Sequence, residues 1–372
     1  TGVQGYFTRL RETGLYVISA EDEKTSPYYG VPYTSIGKKH ANEVGFFVQD
    51  EWNVTPKLTV VPGIRVDSHS SGEEYATSVK VSDSAFPTTK FSKTTVNPRI
   101  AIKYELTPSL VLRANVGTGF RAPYGFSEDL HLCSGSPRVW KSSNLKGERA
   151  ISYNLSADYY AKKYQFSINI FRTNLKDKIQ FSPADDEVKK FGYSYQWENV
   201  DDAYVQGVEL GAKANLFRNF NAGINWTFNQ GKFKHERADW SDPNDETVKE
   251  FPQRLQYAKD SRNISRFPAM TGDIDLDYTP GTWSFSLTSS LQGKMYIDYN
   301  SEDDGATSKI KKTNTFIIFN CRAAKRFGTC TVYAGAKNIF SYIQDEKHTD
   351  DAAFMYAPVY GATWYVGLSV KL

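Results

Sequence analysis

The sequence predicts an all-β protein: a transmembrane antiparallel β-barrel. Three observations carry this reading. Apolar and polar residues alternate along one segment after another, the period of a strand with two unlike faces. Very short connections alternate with long polar ones, which puts every long loop on one side. Aromatic residues reach 15%, with 24 Tyr and 23 Phe, although the mean hydropathy is only −0.52.

Composition excludes several classes. Lys plus Arg number 45 and Asp plus Glu 42, so the 372-residue chain carries a net charge of +3. That balance lacks the basic excess of a nucleic-acid binder, and no nucleic-acid partner is expected. No apolar run approaches the ~20 residues of a transmembrane helix. Three cysteines are too few for a disulfide framework. The chain starts at Thr1 with no signal-like segment after it, which reads as processing or truncation.

About thirteen strands are expected, near 44–54, 58–69, 95–106, 110–120, 149–161, 164–181, 203–217, 219–234, 264–278, 282–298, 312–326, 329–340 and 362–372. Their faces separate cleanly. Val60, Ile64 and Val66 oppose Thr59, Arg65 and Asp67. Ile100, Ile102 and Tyr104 oppose Ala101, Lys103 and Glu105. Leu112, Ala114 and Val116 oppose Arg113, Asn115 and Gly117. Phe166, Ile168 and Ile170 oppose Gln165, Ser167 and Asn169. Val208, Leu210 and Ala212 oppose Glu209, Gly211 and Lys213. Ile274, Leu276 and Tyr278 alternate with aspartates, and Trp283, Phe285 and Leu287 with Ser and Thr. The last strand sets Trp364, Val366, Leu368 and Val370 against Tyr365, Gly367, Ser369 and Lys371. A soluble sandwich also alternates in this way, so the connections decide.

The short connections are Thr55-Pro56-Lys57, Thr107-Pro108-Ser109, Lys162-Lys163, Phe217-Arg218-Asn219, Thr279-Pro280-Gly281 and Arg326-Phe327-Gly328. Long polar stretches lie between them, roughly 70–93, 121–148, 183–202, 235–262, 299–311 and 341–360. Outer-membrane barrels have this layout. Antiparallel closure favours even strand numbers, so a count of thirteen predicts strands missing ahead of the chain. Residues 1–43 read as an incomplete N-terminal strand, near Gly14–Ala20, and an extracellular loop; residues 44–372 read as the barrel. Aromatics near strand ends, such as Trp52, Tyr159, Tyr160, Trp283 and Trp364, suit either a membrane-interface girdle or ordinary sheet packing. A turn centred near Arg326-Phe327 sets Ala323 opposite Cys330, which leaves Cys321 too distant for a disulfide.

Several segments resemble the C-terminal barrel of TonB-dependent outer-membrane receptors. Phe46-Phe47-Val48-Gln49-Asp50-Glu51-Trp52 followed by Pro62-Gly63-Ile64-Arg65-Val66-Asp67 is similar to that family's paired "vQDEw … pGlRyD" strands. Asn97-Pro98-Arg99-Ile100-Ala101 resembles "sPRla". Gly117-Thr118-Gly119-Phe120-Arg121-Ala122-Pro123 matches the "GxGFRAP" box and is the most specific signal. Ser143-Asn144-Leu145-Lys146-Gly147-Glu148 resembles "NPnLkPE", with Ser143 and Gly147 in place of both prolines. Gln206-Gly207-Val208-Glu209-Leu210 and Ala336-Lys337-Asn338-Ile339-Phe340 resemble "qGvEle" and "vxNLFd". The final residue, Leu372, departs from the aromatic that often ends the family.

The resemblance implies a barrel of roughly 22 strands with an N-terminal plug, of which this chain holds about the last thirteen. It implies outer-membrane lipid around the wall, a TonB complex acting through the absent N-terminal region, and import of a metal chelate. Haem or a ferric siderophore is the expected cargo; cobalamin is the alternative within the family, and no resident cofactor is expected. In the family's haem receptors an axial histidine falls between the FRAP and NPNL boxes, and His131 occupies that interval. Arg121, Arg138 and Trp140 offer cations and a ring for a planar anionic cargo, and Tyr124 joins them as a ligand-binding candidate. The plain readings stand beside these: a structural corner pairing Arg121 with a wall carboxylate, and a solvated His131. The carboxylate runs, such as Asp185-Asp186-Glu187, lack the fixed spacing of a calcium loop. Two rivals remain: a passive porin, and a barrel enzyme, for which no nucleophile motif accompanies the five histidines.

Overall fold

In the computed structural model the short connections are tight hairpins. Thr55 and Thr107 use the same device: each hydroxyl accepts from the backbone N–H two and three residues on, at 3.0–3.2 Å. Asn219, Gly281 and Gly328 take the positive φ (65°, 62° and 60°) that their turns need, the region open to Gly and Asn. The structure describes residues 1–17, 29–79, 85–124, 140–183, 185–191, 193, 195–235, 262–264, 266–296, 313–344 and 356–371.

The first half of the chain forms β1 (Gly2–Tyr16), β2 (Tyr33–Gln49), β3 (Trp52–Thr55), β4 (Leu58–Thr77), β5 (Thr89–Thr107), β6 (Leu110–Arg121), β7 (Trp140–Lys141) and β8 (Glu148–Tyr160). Then come β9 (Tyr164–Pro183), the single turn α1 (Asp186–Lys189), β10 (Tyr195–Phe217), β11 (Phe220–Phe233) and β12 (Met270–Tyr278). The last are β13 (Trp283–Gln292), β14 (Phe316–Phe327), β15 (Cys330–Lys337) and β16 (Thr363–Val370). No described helix is long and apolar enough to cross a membrane.

All the long strands join one antiparallel meander, β1-β2-β4-β5-β6-β8-β9-β10-β11-β12-β13-β14-β15-β16. The short β3 pairs with β4, and β7 lies parallel to β10. Among the described residues, β1 and β16 each pair on one side only. This corrects the strand count. Among the described residues the path holds fourteen long strands, so an odd number no longer argues for missing ones.

The added strand is β1, paired with β2 from Gly2↔Phe47 to Tyr16↔Tyr33, where the sequence predicts only Gly14–Ala20. Several strands also run further toward the long loops than predicted: β2 starts at Tyr33, β4 reaches Thr77 and β10 starts at Tyr195. The cause is common to all. Apolar periodicity marks a strand only where one face meets lipid, and these extensions leave that zone with polar residues on both faces.

The face assignment holds throughout. Outward positions such as Phe46, Ile100, Leu155, Ile168, Ile170, Phe228, Val366 and Leu368 are exposed, as a lipid-facing wall requires. Exposed rings gather near the short turns, including Tyr159, Phe166, Phe217, Tyr278, Trp283 and Phe285. Neighbours stack across strands, Phe217–Phe220 at 4.7 Å and Tyr278–Phe285 at 6.4 Å, and along β13, Trp283–Phe285 at 5.7 Å between ring centres. That continuous exposed belt fits the girdle reading. The predicted Cys330 register is off: Cys330 faces Phe327, Ala323 faces Ala334, and Cys321 faces Ala336. The turn sits on Gly328-Thr329, and both cysteines are free.

Candidate functional site

The inner wall of the first strands is a connected polar surface. Arg65, on the inward face of β4, bonds Asp67 at 2.6 Å, Glu43 of β2 at 3.1 Å and Gln4 of β1 at 2.9 Å. Its guanidinium also lies 5.9 Å from the Phe47 ring centre. The side-chain amide of Asn97 donates to Asp67 at 3.2 Å, and His69 Nε2 sits 3.1 Å from the Thr95 hydroxyl. The ladder continues around the wall through Arg113–Asp158, Asn154–Asn115, Ser152–Thr173, Asn169–Glu209 and Asn225–Asp273. A lumen lined this way carries water and polar solutes while its charges stay paired.

Toward the long loops this inner face becomes buried. Lys141 of β7 meets Glu73 of β4 at 2.9 Å, with both side chains almost fully enclosed. Tyr75 donates to the other Glu73 oxygen at 2.6 Å. Lys39 adds positive charge nearby and itself bonds Glu12 at 2.8 Å. Burial alone pushes the Glu73 carboxyl up, but Lys141, Lys39 and the Tyr75 hydroxyl outweigh it, so the net shift is downward. Next to this pair, Tyr124 donates to the Ser142 carbonyl at 2.7 Å and accepts from the Leu145 N–H at 3.0 Å. Burial, opposed by that N–H and helped by the Glu73 charge, pushes its hydroxyl up to about 12. An apolar pad backs the cluster: Val188 and Tyr193 with Trp140, and Tyr33, Ala85 and Phe86 with Tyr75.

The sequence-predicted residues divide between these places. Arg121 ends β6, exposed and in register with Glu148 of β8. The Glu148 carboxylate meanwhile accepts from the Ile179 N–H at 3.0 Å. Tyr124 is only 1% exposed, so it braces the Ser142–Leu145 segment and presents no open face to a ligand. Trp140 is half-buried on the Val188–Tyr193 pad. His131 and Arg138 lie outside the described residues. The Asp185-Asp186-Glu187 run begins α1, with the Asp185 carboxylate capping the Val188 N–H at 2.9 Å. Among the described residues no group of three or more His, Cys, Asp or Glu could hold a metal. Glu73 and Lys39 escape sequence reasoning; they sit on strand extensions without apolar alternation, where charge alone reads as loop.

Another concavity lies elsewhere. A cavity of about 700 Å³ opens beside β5, β6, β8, β9 and β10 near the long-loop end, lined in part by Thr94, Phe120, Arg149, Arg172, Lys176 and Tyr204. Arg149 shares the outward parity of Ile151, Tyr153 and Leu155, and Lys176 and Arg172 face Arg149 and Tyr153 in register. Arg149, Arg172 and Lys176 thus share the outward parity, while the Phe120 ring packs on His69 and Phe91 of the inner wall, with ring centres 4.9 and 6.0 Å away.

Comparison with known proteins follows the same architecture. The family described as TonB dependent receptor-like, beta-barrel matches residues 3–339. A vitamin B12 transporter of Photobacterium profundum is 26% identical over 70% of this chain and 36% of its own length. A ferric enterobactin receptor of Pseudomonas aeruginosa is 25% identical over 49% of this chain and 24% of its own. This chain thus spans well under half of those curated relatives. The ferric yersiniabactin uptake receptor of Yersinia pestis superposes with a TM-score of 0.65 at 15% identity, over 98% of this chain and 49% of that one. A copper transporter superposes with a TM-score of 0.63 at 17% identity, over 91% and 53%.

Proposed function

Because the chain belongs to the TonB-dependent receptor β-barrel family of the Gram-negative outer membrane, we propose that it serves import of a metal chelate, a ferric siderophore or haem, energised through TonB. The observation that carries this reading is the division of one sheet into an apolar outer face and a continuous, charge-paired inner face, across strands the family matches almost end to end. Such a wall surrounds an aqueous path. The ferric enterobactin receptor among the relatives supports an iron chelate as cargo. The 26% identical vitamin B12 transporter supports cobalamin as the second reading.

Within this proposal the segment from Arg121 to Lys141 meets the cargo. Arg121 and Arg138 supply positive charge, Trp140 a ring edge, and His131 an imidazole able to ligate haem iron. Tyr124 positions the returning strand.

Growth of a receptor-deleted bacterium tests the proposal. The full-length gene is expected to restore growth on one ferric chelate or haem as sole iron source, and only with TonB present. Restoration confined to cobalamin-limited medium would shift the cargo to cobalamin. Uptake that persists without TonB would make the protein a passive porin. For haem specifically, His131→Ala is expected to abolish binding while the receptor still inserts; unchanged haem affinity removes His131 as the ligand.

A further inference from the structure

The wall opens at one seam. β5 pairs with β6 only from Arg99↔Gly117 to Thr107↔Leu110. Toward the long loops, β5 keeps β4 as far as Glu73↔Thr89, and β6 keeps β8 as far as Arg121↔Glu148. Each strand holds its other neighbour and loses this one. Pro98 marks the break. The Glu105 N–H donates to the Lys57 carbonyl on the β4 side, so odd-numbered residues of β5 direct their backbone groups toward β4. Even-numbered residues direct theirs toward β6, and the Thr118 hydroxyl accordingly donates to the Pro98 carbonyl at 3.2 Å. Pro98 has no N–H to return, and the ladder ends there.

Lys90, Ser92, Thr94 and Val96 therefore present N–H and C=O groups to the seam, and among the described residues no strand pairs with them there. All four side chains are exposed. Phe120 reports the same opening. It is in register with outward Arg149, yet its ring lies 4.9 Å from His69 and 6.0 Å from Phe91 on the inner wall. An unbroken ladder would bar that crossing. The cavity of about 700 Å³ lies on this seam, with residues 94–97 on one side and 118–120 on the other. Height makes the edge usable. The outward column of β5 runs from exposed Tyr104, Ile102 and Ile100 to Val96, and then turns polar at Thr94, Ser92 and Lys90. The open edge thus begins where hydrocarbon ends. Unpaired backbone is untenable in lipid, but in water it is solvated and can exchange that water for another strand.

We propose that this edge takes an extended acidic segment of a partner protein at the cell surface, added as a strand to β5 along residues 90–96. Main-chain bonds to Lys90, Ser92, Thr94 and Val96 supply the affinity. Charge selects the segment. Residues 89–97 hold two lysines and no carboxylate. Lys90 points outward and is exposed, while Lys93 points inward, 5.5 Å from the Phe120 ring centre. Carboxylates on either face of the added strand therefore meet a cation. The proposal holds whichever cargo the receptor imports.

The test uses the full-length receptor in mild detergent and, as the probe, a fluorescent eight-residue peptide alternating Val with Glu, read by anisotropy. Thr94→Pro removes one N–H that faces the seam and leaves the β4 ladder intact, because strands tolerate proline on an open side. It should weaken binding about tenfold, while Thr94→Ala, which keeps that N–H, should stay within about twofold. The same peptide with every backbone nitrogen methylated, or with Lys in place of Glu, should fail to bind. Equal affinity of Thr94→Pro and Thr94→Ala overturns the proposal, as does undiminished binding of the methylated peptide. Equal binding of the Lys peptide overturns the acidic partner. Hydrogen exchange at Thr94 as slow as at Ile100 in the receptor alone overturns it too, because the receptor's own loops would then hold the edge. So does displacement of the peptide by added phospholipid, which would assign the seam to lipid, and so does an absence of binding to the unaltered receptor at millimolar peptide. Should Thr94→Pro fail to insert, the methylated peptide on the unaltered receptor decides.

Discussion

Glu73 remains a carboxylate without water because two lysines and a tyrosine hydroxyl replace its solvent. Replacing it by Gln removes the Glu73 charge from the almost fully enclosed Lys141 ammonium. Breaking one side of a buried pair costs about 3–5 kcal/mol. Glu73→Gln is therefore expected to speed hydrogen exchange across the segment from Lys141 to Gly147, with the barrel strands unaffected. The sign of the pH effect follows from the lowered pKa. The network's contribution is complete above the usual carboxylate value and is lost as pH falls through the still lower folded value. Near-ultraviolet circular dichroism should show this acid transition below about pH 4.5 in the unaltered receptor, and Glu73→Gln should lack it. Tyr124→Phe should also loosen this corner. It strands the Leu145 N–H and the Ser142 carbonyl, for roughly 1–3 kcal/mol, and the readout is exchange at Leu145.

Strands answer to a different rule, the division between lipid and lumen. Leu155 sits outward at mid-height on β8, and its neighbour Asn154 points inward to Asn115. Leu155→Arg puts a charge into hydrocarbon and should lower folding stability in bilayers by about 2–4 kcal/mol. Asn154→Lys faces water and should change it by no more than about 1 kcal/mol. Folding titrations of the full-length receptor in urea with lipid vesicles distinguish the two; equal effects would deny the assigned faces. The loop bases follow yet another rule. Asp201 grips His235 through both backbone N–H (2.7 Å) and ring nitrogen (3.1 Å). Burial raises the Asp201 carboxyl, and the His235 and Asp202 contacts bring it below its usual value.

For the molecule as a whole, the meander places every short turn on one side and every long connection on the other. The long connections bring together groups far apart in sequence, as the Lys141–Glu73 pair and the Tyr193 hydroxyl on the Ala85 carbonyl (2.6 Å) show. The same end also carries the outward cations.

Alternation along each strand is a local property, because side chains two apart always share a face. Hence Val60, Ile64 and Val66 announced a membrane wall, and Arg65 and Asp67 a lumen, before any fold was known. The hairpin turns were equally legible, since Thr-Pro and Gly signals act within a few residues. Beyond the apolar band neither face must be greasy, so local pattern says nothing there. The path of β1, the burial of Glu73 with Lys141 and the bracing role of Tyr124 were decided by strand register and loop packing, which join residues that no local spacing relates.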